Sequence, residues 1–147
     1  PDGLVLGARG PYGILVRDRD SALNQWFVNT YKNLYGTYPS GPAYQYGQAI
    51  LATKIAYDKA GSGATDEQLA AALKGITFES FSTTVEMALG NGHQAVTENG
   101  YGITKYDEAN GENVVTDVKF YPGSCIMPPK GANSVDWIKG GMQGAKC

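Results

Sequence analysis

Apolar residues recur at helical spacing through the first half of the chain and at alternating spacing through the second. Leu23, Trp26, Phe27, Tyr31 and Leu34 make one wide apolar face, which predicts a helix from about Ala22 to Tyr35. Asp20 or Ser21 is its expected N-cap, Gly36 its stop, and Pro39 prevents continuation. A longer helix is expected from Ser40–Pro42 to Ala60-Gly61, with Ala43, Tyr46, Ala49, Ile50, Ile55 and Ala56 inward. Thr65-Asp66-Glu67-Gln68 is a capping-box pattern, and Leu69, Ala72 and Leu73 extend it into a short third helix ending at Gly75. Ahead of these, the apolar run Leu4 to Gly7 predicts a buried strand, and Ala8 to Ile14 an irregular crossover rich in Gly and Pro.

From Ile76 the period is that of strands. Thr84 to Ala88, Gly102 to Tyr106 and Val114 to Tyr121 alternate, with the turn dipeptides Asn91-Gly92 and Asn110-Gly111 between them, a β-hairpin or meander. Regular structure stops after Pro122, with one helical turn expected over Val135 to Lys139. The chain thus divides into 1–75 (strand and three helices), 76–121 (crossover and hairpin or meander) and 122–147 (loop-rich tail). Two long helices preceded by one strand read as part of a larger α/β protein, and the opening PDGLVLG, a turn feeding a strand, as a start within a longer chain.

Of the 147 residues 42% are hydrophobic and 18% charged, which fits one globular domain and argues against disorder. The net charge of −2, with both signs interspersed, provides no basic face for nucleic acid. No apolar run reaches the length of a membrane span. Cys125 and Cys147 lack the neighbours of a zinc site. Either they are two free thiols or they form a disulfide tying the tail to the body, worth roughly 3 kcal/mol in the chain-entropy model and implying an oxidising compartment.

Evident catalytic or cofactor motifs are absent: no nucleophile elbow, no Walker loop, no H-E-x-x-H, and LGARGPYG is not a dinucleotide fingerprint. His93 can act as acid or base only beside a partner such as Glu86 or Glu98. Asp107, Glu108, Asn110 and Glu112 crowd a turn without the spacing of a calcium loop, so they read as solvated, as does the cluster Asp18 to Asp20. Loops after strands and helix N-termini are where small ligands bind in α/β proteins, which marks Tyr12, Tyr44 and Tyr46 as candidates, with Arg9 available to a carboxylate.

The order FVNTYKNLYGTYP, AILATKIAYDKAGS, LAAALKGITF, NGHQAV and GYGITKYD resembles the C-terminal part of type 1 periplasmic solute-binding proteins, the branched-chain amino acid receptors of ABC importers. The resemblance covers roughly Gly3 to Asp107. It implies part of a two-lobed Venus-flytrap α/β fold with a parallel sheet in each lobe, three crossovers at the hinge, and ligand bound between the lobes. It also implies a periplasmic or extracytoplasmic protein with no cofactor and no catalysis, docking on a membrane permease. Tyr12, Ala43 and Tyr44 carry over as ligand-proximal positions. The expected ligand is an amino acid or similar small carboxylate. An aromatic-acid or amide receptor of the same fold is the alternative, and a small periplasmic enzyme using His93, or a structural module associating through its β-tail, are readings of other classes.

Overall fold

The computed structural model describes residues 1–7, 10, 12–89, 92–129 and 131–144. Three helices follow the first strand, β1 (Val5–Gly7): α1 (Ala22–Tyr35), α2 (Gly41–Ala60) and α3 (Asp66–Leu73). Ser21 caps α1 by accepting from the Asn24 N–H, and Gly36 ends it in the left-handed conformation that favours glycine. Pro42 lies in the first turn of α2, and Thr65 and Gln68 form a full capping box on α3. Strands β2 (Thr77–Glu79), β3 (Thr84–Leu89), β4 (Gln94–Val96), β5 (Asn99–Asp107) and β6 (Glu112–Tyr121) follow, then the short helix α4 (Ser134–Lys139).

The expected hairpin or meander is two sheets, ordered β2-β3-β4 and β1-β5-β6. All strand pairs among the described residues are antiparallel, where the resemblance implied parallel sheets. The reason is connectivity: tight turns join β2 to β3 and β5 to β6, and a parallel pair needs a long crossover. Strand β1 reaches across the sequence to pair with β5, Val5 opposite Ile103, and is an edge strand with Leu4 and Val5 exposed, not the buried strand expected.

The molecule therefore has two bodies. One contains α1 to α3 and the sheet β2-β3-β4; the other is the sheet β1-β5-β6. The chain passes between them twice, from β1 to α1 and through Thr97-Glu98, and Pro122-Gly123 leads from β6 into the tail, where Gly123 lies against Val96 and Thr97. The buried side chain of Asn99 accepts from the Gly10 N–H at 2.8 Å, joining the first link to the second.

Val16, Val28 and Tyr44 form the core, with Tyr12, Phe27, Phe81 and Phe120 packed around them. Phe27 stacks on Phe81 at 4.5 Å between centroids and meets the Tyr44 ring edge-on at 4.9 Å. Gly47 permits this, because a Cβ there would stand 2.9 Å from the Phe81 ring. The inward stripe of α2 is Tyr44, Gln48, Leu51, Ala52, Ile55 and Ala56, at helical spacing. It keeps Ile55 and Ala56 of the expected stripe and departs from it at Tyr46 and Ile50, 74% and 71% exposed, and at Ala49, exposed as well. Likewise Trp26 and Leu34 of α1, expected inside, are exposed, while Asn24 is fully buried. The buried Asn24 and the half-buried Gln48 occupy positions that a purely apolar reading assigns to the outer face.

Asn24 is satisfied on both sides. Its amide donates to the Val16 carbonyl at 2.7 Å, and its carbonyl accepts from the Tyr44 hydroxyl at 3.0 Å. The Tyr44→Phe variant leaves that buried carbonyl without a donor and is expected to lose about 1–3 kcal/mol of stability, read by urea denaturation. Asn24→Ala abandons the Val16 carbonyl too and is expected to lose more.

Candidate functional site

A cavity of about 420 Å³ lies between the two bodies. On the helical side it is walled by Gly13, Arg17, Tyr38, Gly41 and Tyr44, and on the sheet side by Glu112 and Asn113, at the start of β6. Sequence dictates this wall locally. Pro39 ends the chain's course after α1, and Gly41-Pro42 opens α2 at once, so Tyr38 and Tyr44 flank the helix start. Ser40, the N-cap, makes no side-chain capping bond, so the first amides of α2 point outward uncapped. The positive end of a 20-residue helix thus faces the cavity.

Arg17 supplies a full charge. Its Nη1 donates to Glu112 at 3.1 Å, its Nε to Asp18 at 3.4 Å, and its guanidinium lies over the Tyr38 ring at 4.7 Å. Lys32 also lies over Tyr38, at 4.3 Å, and donates to its hydroxyl at 2.9 Å. Tyr44, 1% exposed, forms the floor. Burial raises its phenol pKa well above the usual tyrosine value, and the nearby Asp18 carboxylate raises it further. Tyr12 stands beside it with ring centroids 6.5 Å apart and donates to Gln48 Oε1 at 3.2 Å. Its pKa too is raised by burial. Gln48 in turn donates to Ser80 at 3.1 Å, so the second body of contacts under the floor is hydrogen-bonded throughout.

Among the residues singled out from sequence, Tyr44 lines this cavity, and Tyr12 packs against the Tyr44 ring without lining it. Ala43 is half-buried one position from Tyr44 and off the lining. Tyr46 points away from the wall and is exposed. Arg9 lies outside the described residues, as does Asn91 of the Asn91-Gly92 turn. Sequence reasoning missed Arg17, Tyr38 and Glu112. Arg17 stands at the edge of a run of alternating charges that reads as solvated, yet its side chain is only 12% exposed. Glu112 belongs to a turn cluster whose other members do close the turn locally: Asp107 accepts from Ala109 and Asn110.

A second, more polar cavity of about 540 Å³ lies where Arg19, Ser82, Glu98 and Gly123 meet. Arg19 is engaged there by the Ser82 carbonyl at 2.6 Å, by the Glu98 carboxylate, and by the Phe120 ring at 4.6 Å. It fastens the helical body to the links. Glu98 is therefore committed to Arg19, and His93 is exposed beyond β3. The described residues contain no cluster of three or more His, Cys, Asp or Glu side chains arranged for a metal ion. Cys125 is half-buried, and no described cysteine is free; Cys147 lies outside the described residues.

The architecture defines a class of fold. The chain is similar in structure to a branched-chain amino acid transporter protein of the ABC type from Rhodopseudomonas palustris CGA009, with TM-score 0.67 and 22% identity. It is equally similar, at 0.67 and 24% identity, to a solute-binding protein of an ABC transporter from Rhodopseudomonas palustris BisB5 solved with 3,4-dihydroxybenzoic acid. A leucine-binding protein from Thermotoga maritima matches at 0.59 and 20% identity, over 80% of this chain. The first two matches cover 82% of this chain but 31% of each neighbour, so the chain spans about a third of their length. No family profile and no curated protein matches it. The fold is accordingly that of a part of the type 1 periplasmic solute-binding proteins.

The raised phenol pKa values carry a signed consequence. Below pH 10, the ordinary tyrosine value, both phenols are protonated folded and unfolded, and stability is intact. Above it the unfolded chain loses protons that the folded one retains, so stability falls as pH rises toward the folded values. Urea midpoints are expected to drop between about pH 9 and pH 11, and the drop to be smaller in Tyr44→Phe.

Proposed function

We propose that the chain is a ligand-capturing part of an ABC-importer solute-binding protein, which holds an amino acid or similar small carboxylate between its two bodies. The observation that carries this reading is the cavity itself. It lies between the two bodies, and one wall combines a largely buried guanidinium with the uncapped positive end of a long helix. Arg17 and the helix start favour an anion there, against the opposing carboxylate of Glu112. The two bodies can hinge about the links, so that a ligand touching both favours closure. The partner is then a membrane permease that recognises the closed form, and the location extracytoplasmic. No described helix is long and apolar enough to cross a membrane.

An aromatic acid is the second reading. Tyr38 and Tyr44 line the cavity and Tyr12 adjoins it, and aromatic rings pack well on one another. The solute in the BisB5 neighbour is of this kind.

Thermal denaturation with leucine, 3,4-dihydroxybenzoate and the uncharged 3,4-dihydroxybenzamide tests both readings. A carboxylate ligand present at a hundred times its Kd is expected to add about 2.7 kcal/mol of stability. Stabilisation by leucine alone selects the amino-acid reading, by dihydroxybenzoate alone the aromatic one, and by neither carboxylate excludes both. We also propose that Cys125 and Cys147 form a disulfide, which suits an extracytoplasmic protein. Thiol titration of the denatured chain is expected to find no free thiol before reduction and two after it; two before reduction excludes the bond.

A further inference from the structure

Arg17 is the cationic side chain on the lining of the interbody cavity, and it is already engaged by a carboxylate of the protein itself. Its partner, Glu112, belongs to the opposite body, so this ion pair spans the cavity. The two partners differ in freedom. Arg17 is 12% exposed, held flat by the Tyr38 ring, whereas Glu112 is 37% exposed at the first position of β6, where its side chain can swing to water. A guanidinium has five N–H donors. Here Nη1 serves Glu112 and Nε makes a long contact with the exposed Asp18, and among the described residues no acceptor meets Nη2. An unused donor edge on a buried cation, beside the uncapped start of α2, is suited to a second planar acceptor of the same kind.

We propose that Arg17 is the carboxylate-binding residue of the cleft and that Glu112 competes with the ligand for it. This deepens the reading of the chain as a receptor for small carboxylates and rests on that reading. A ligand carboxylate entering beside Glu112 brings two like charges to one guanidinium, which is unfavourable in a partly buried site. The ligand therefore gains most when Glu112 gives way and its own oxygens take both Arg17 and the α2 amides. The internal carboxylate sets a threshold: anions that engage Arg17 through two oxygens displace it, and neutral amides lack the charge to do so. Removing the competitor must tighten carboxylate binding, whereas removing a purely structural ion pair must not.

Calorimetric titration of the full chain with 3,4-dihydroxybenzoate and leucine, each paired with its uncharged amide (3,4-dihydroxybenzamide, leucinamide), separates these cases. For the carboxylate that binds, Glu112→Gln is expected to tighten binding several-fold, and Arg17→Gln to weaken it about tenfold or more, the worth of a charged hydrogen bond. Affinity for the matching amide is expected to stay within about twofold in Arg17→Gln. Circular dichroism checks each variant, and if Arg17→Gln does not fold, Glu112→Gln decides alone. Unchanged or weaker carboxylate binding in Glu112→Gln overturns the competition, and equal losses for acid and amide in a folded Arg17→Gln overturn the role of Arg17. In both cases the receptor reading stands. Wild-type protein that binds neither carboxylate overturns the receptor reading, and this inference with it.

Discussion

The hydrogen bonds of Asn24 hold the helical body in the shape that creates the site. One fully buried amide bonds the Val16 carbonyl in the turn after the first link and the Tyr44 hydroxyl at the start of α2. Three segments distant in sequence are fixed at one point, and the geometry is demanding because a buried amide without partners is costly. Tyr44 is thereby held with its ring under the cavity and its hydroxyl turned into the core. Phe27 and Phe81 then pack against that ring, and Gly47 lets them approach.

A second constraint is the economy of links. The chain passes twice between the helical body and the sheet β1-β5-β6, and these passages are tied by the bond from Gly10 to Asn99 and by Arg19, which reaches Ser82, Glu98 and the Phe120 ring together. The Arg17–Glu112 pair closes the opposite side of the interbody cavity. The two ion pairs are similarly exposed, at 30% and 20% for Arg19 and Glu98 and at 12% and 37% for Arg17 and Glu112. The chain exposes 9296 Å², above the roughly 7,200 Å² that scaling gives for a folded monomer of 15.6 kDa. The surplus includes Trp26, Leu34, Tyr46 and Ile50 on the outer faces of α1 and α2.

Much of the fold was legible because local chemistry decides it. Ser21, Gly36, Pro42, the Thr65 capping box and the Asn110-Gly111 turn mark where elements begin and end, and α1 runs over the residues that its spacing predicts. Of the cavity lining, the sequence singled out Tyr44, from its place at a helix start. Arg17 and Glu112 were not singled out, because a charge in a polar run looks solvated until a distant segment covers it, and these two are 95 residues apart.

By itself, then, the sequence determined the helices with their limits and the places of β1, β3, β5 and β6, though not the short strands β2 and β4, since caps, turns and periodicity act within a few residues. Tertiary structure alone decided which helix faces turn inward, that the strands divide between two sheets with β1 paired to β5, and which charges meet across the cleft. The physical reason is the same in each case. Buried polar groups such as Asn24 and Asn99 are acceptable only beside partners brought from elsewhere in the chain, so neither their burial nor the faces they define can be read from their own neighbourhood.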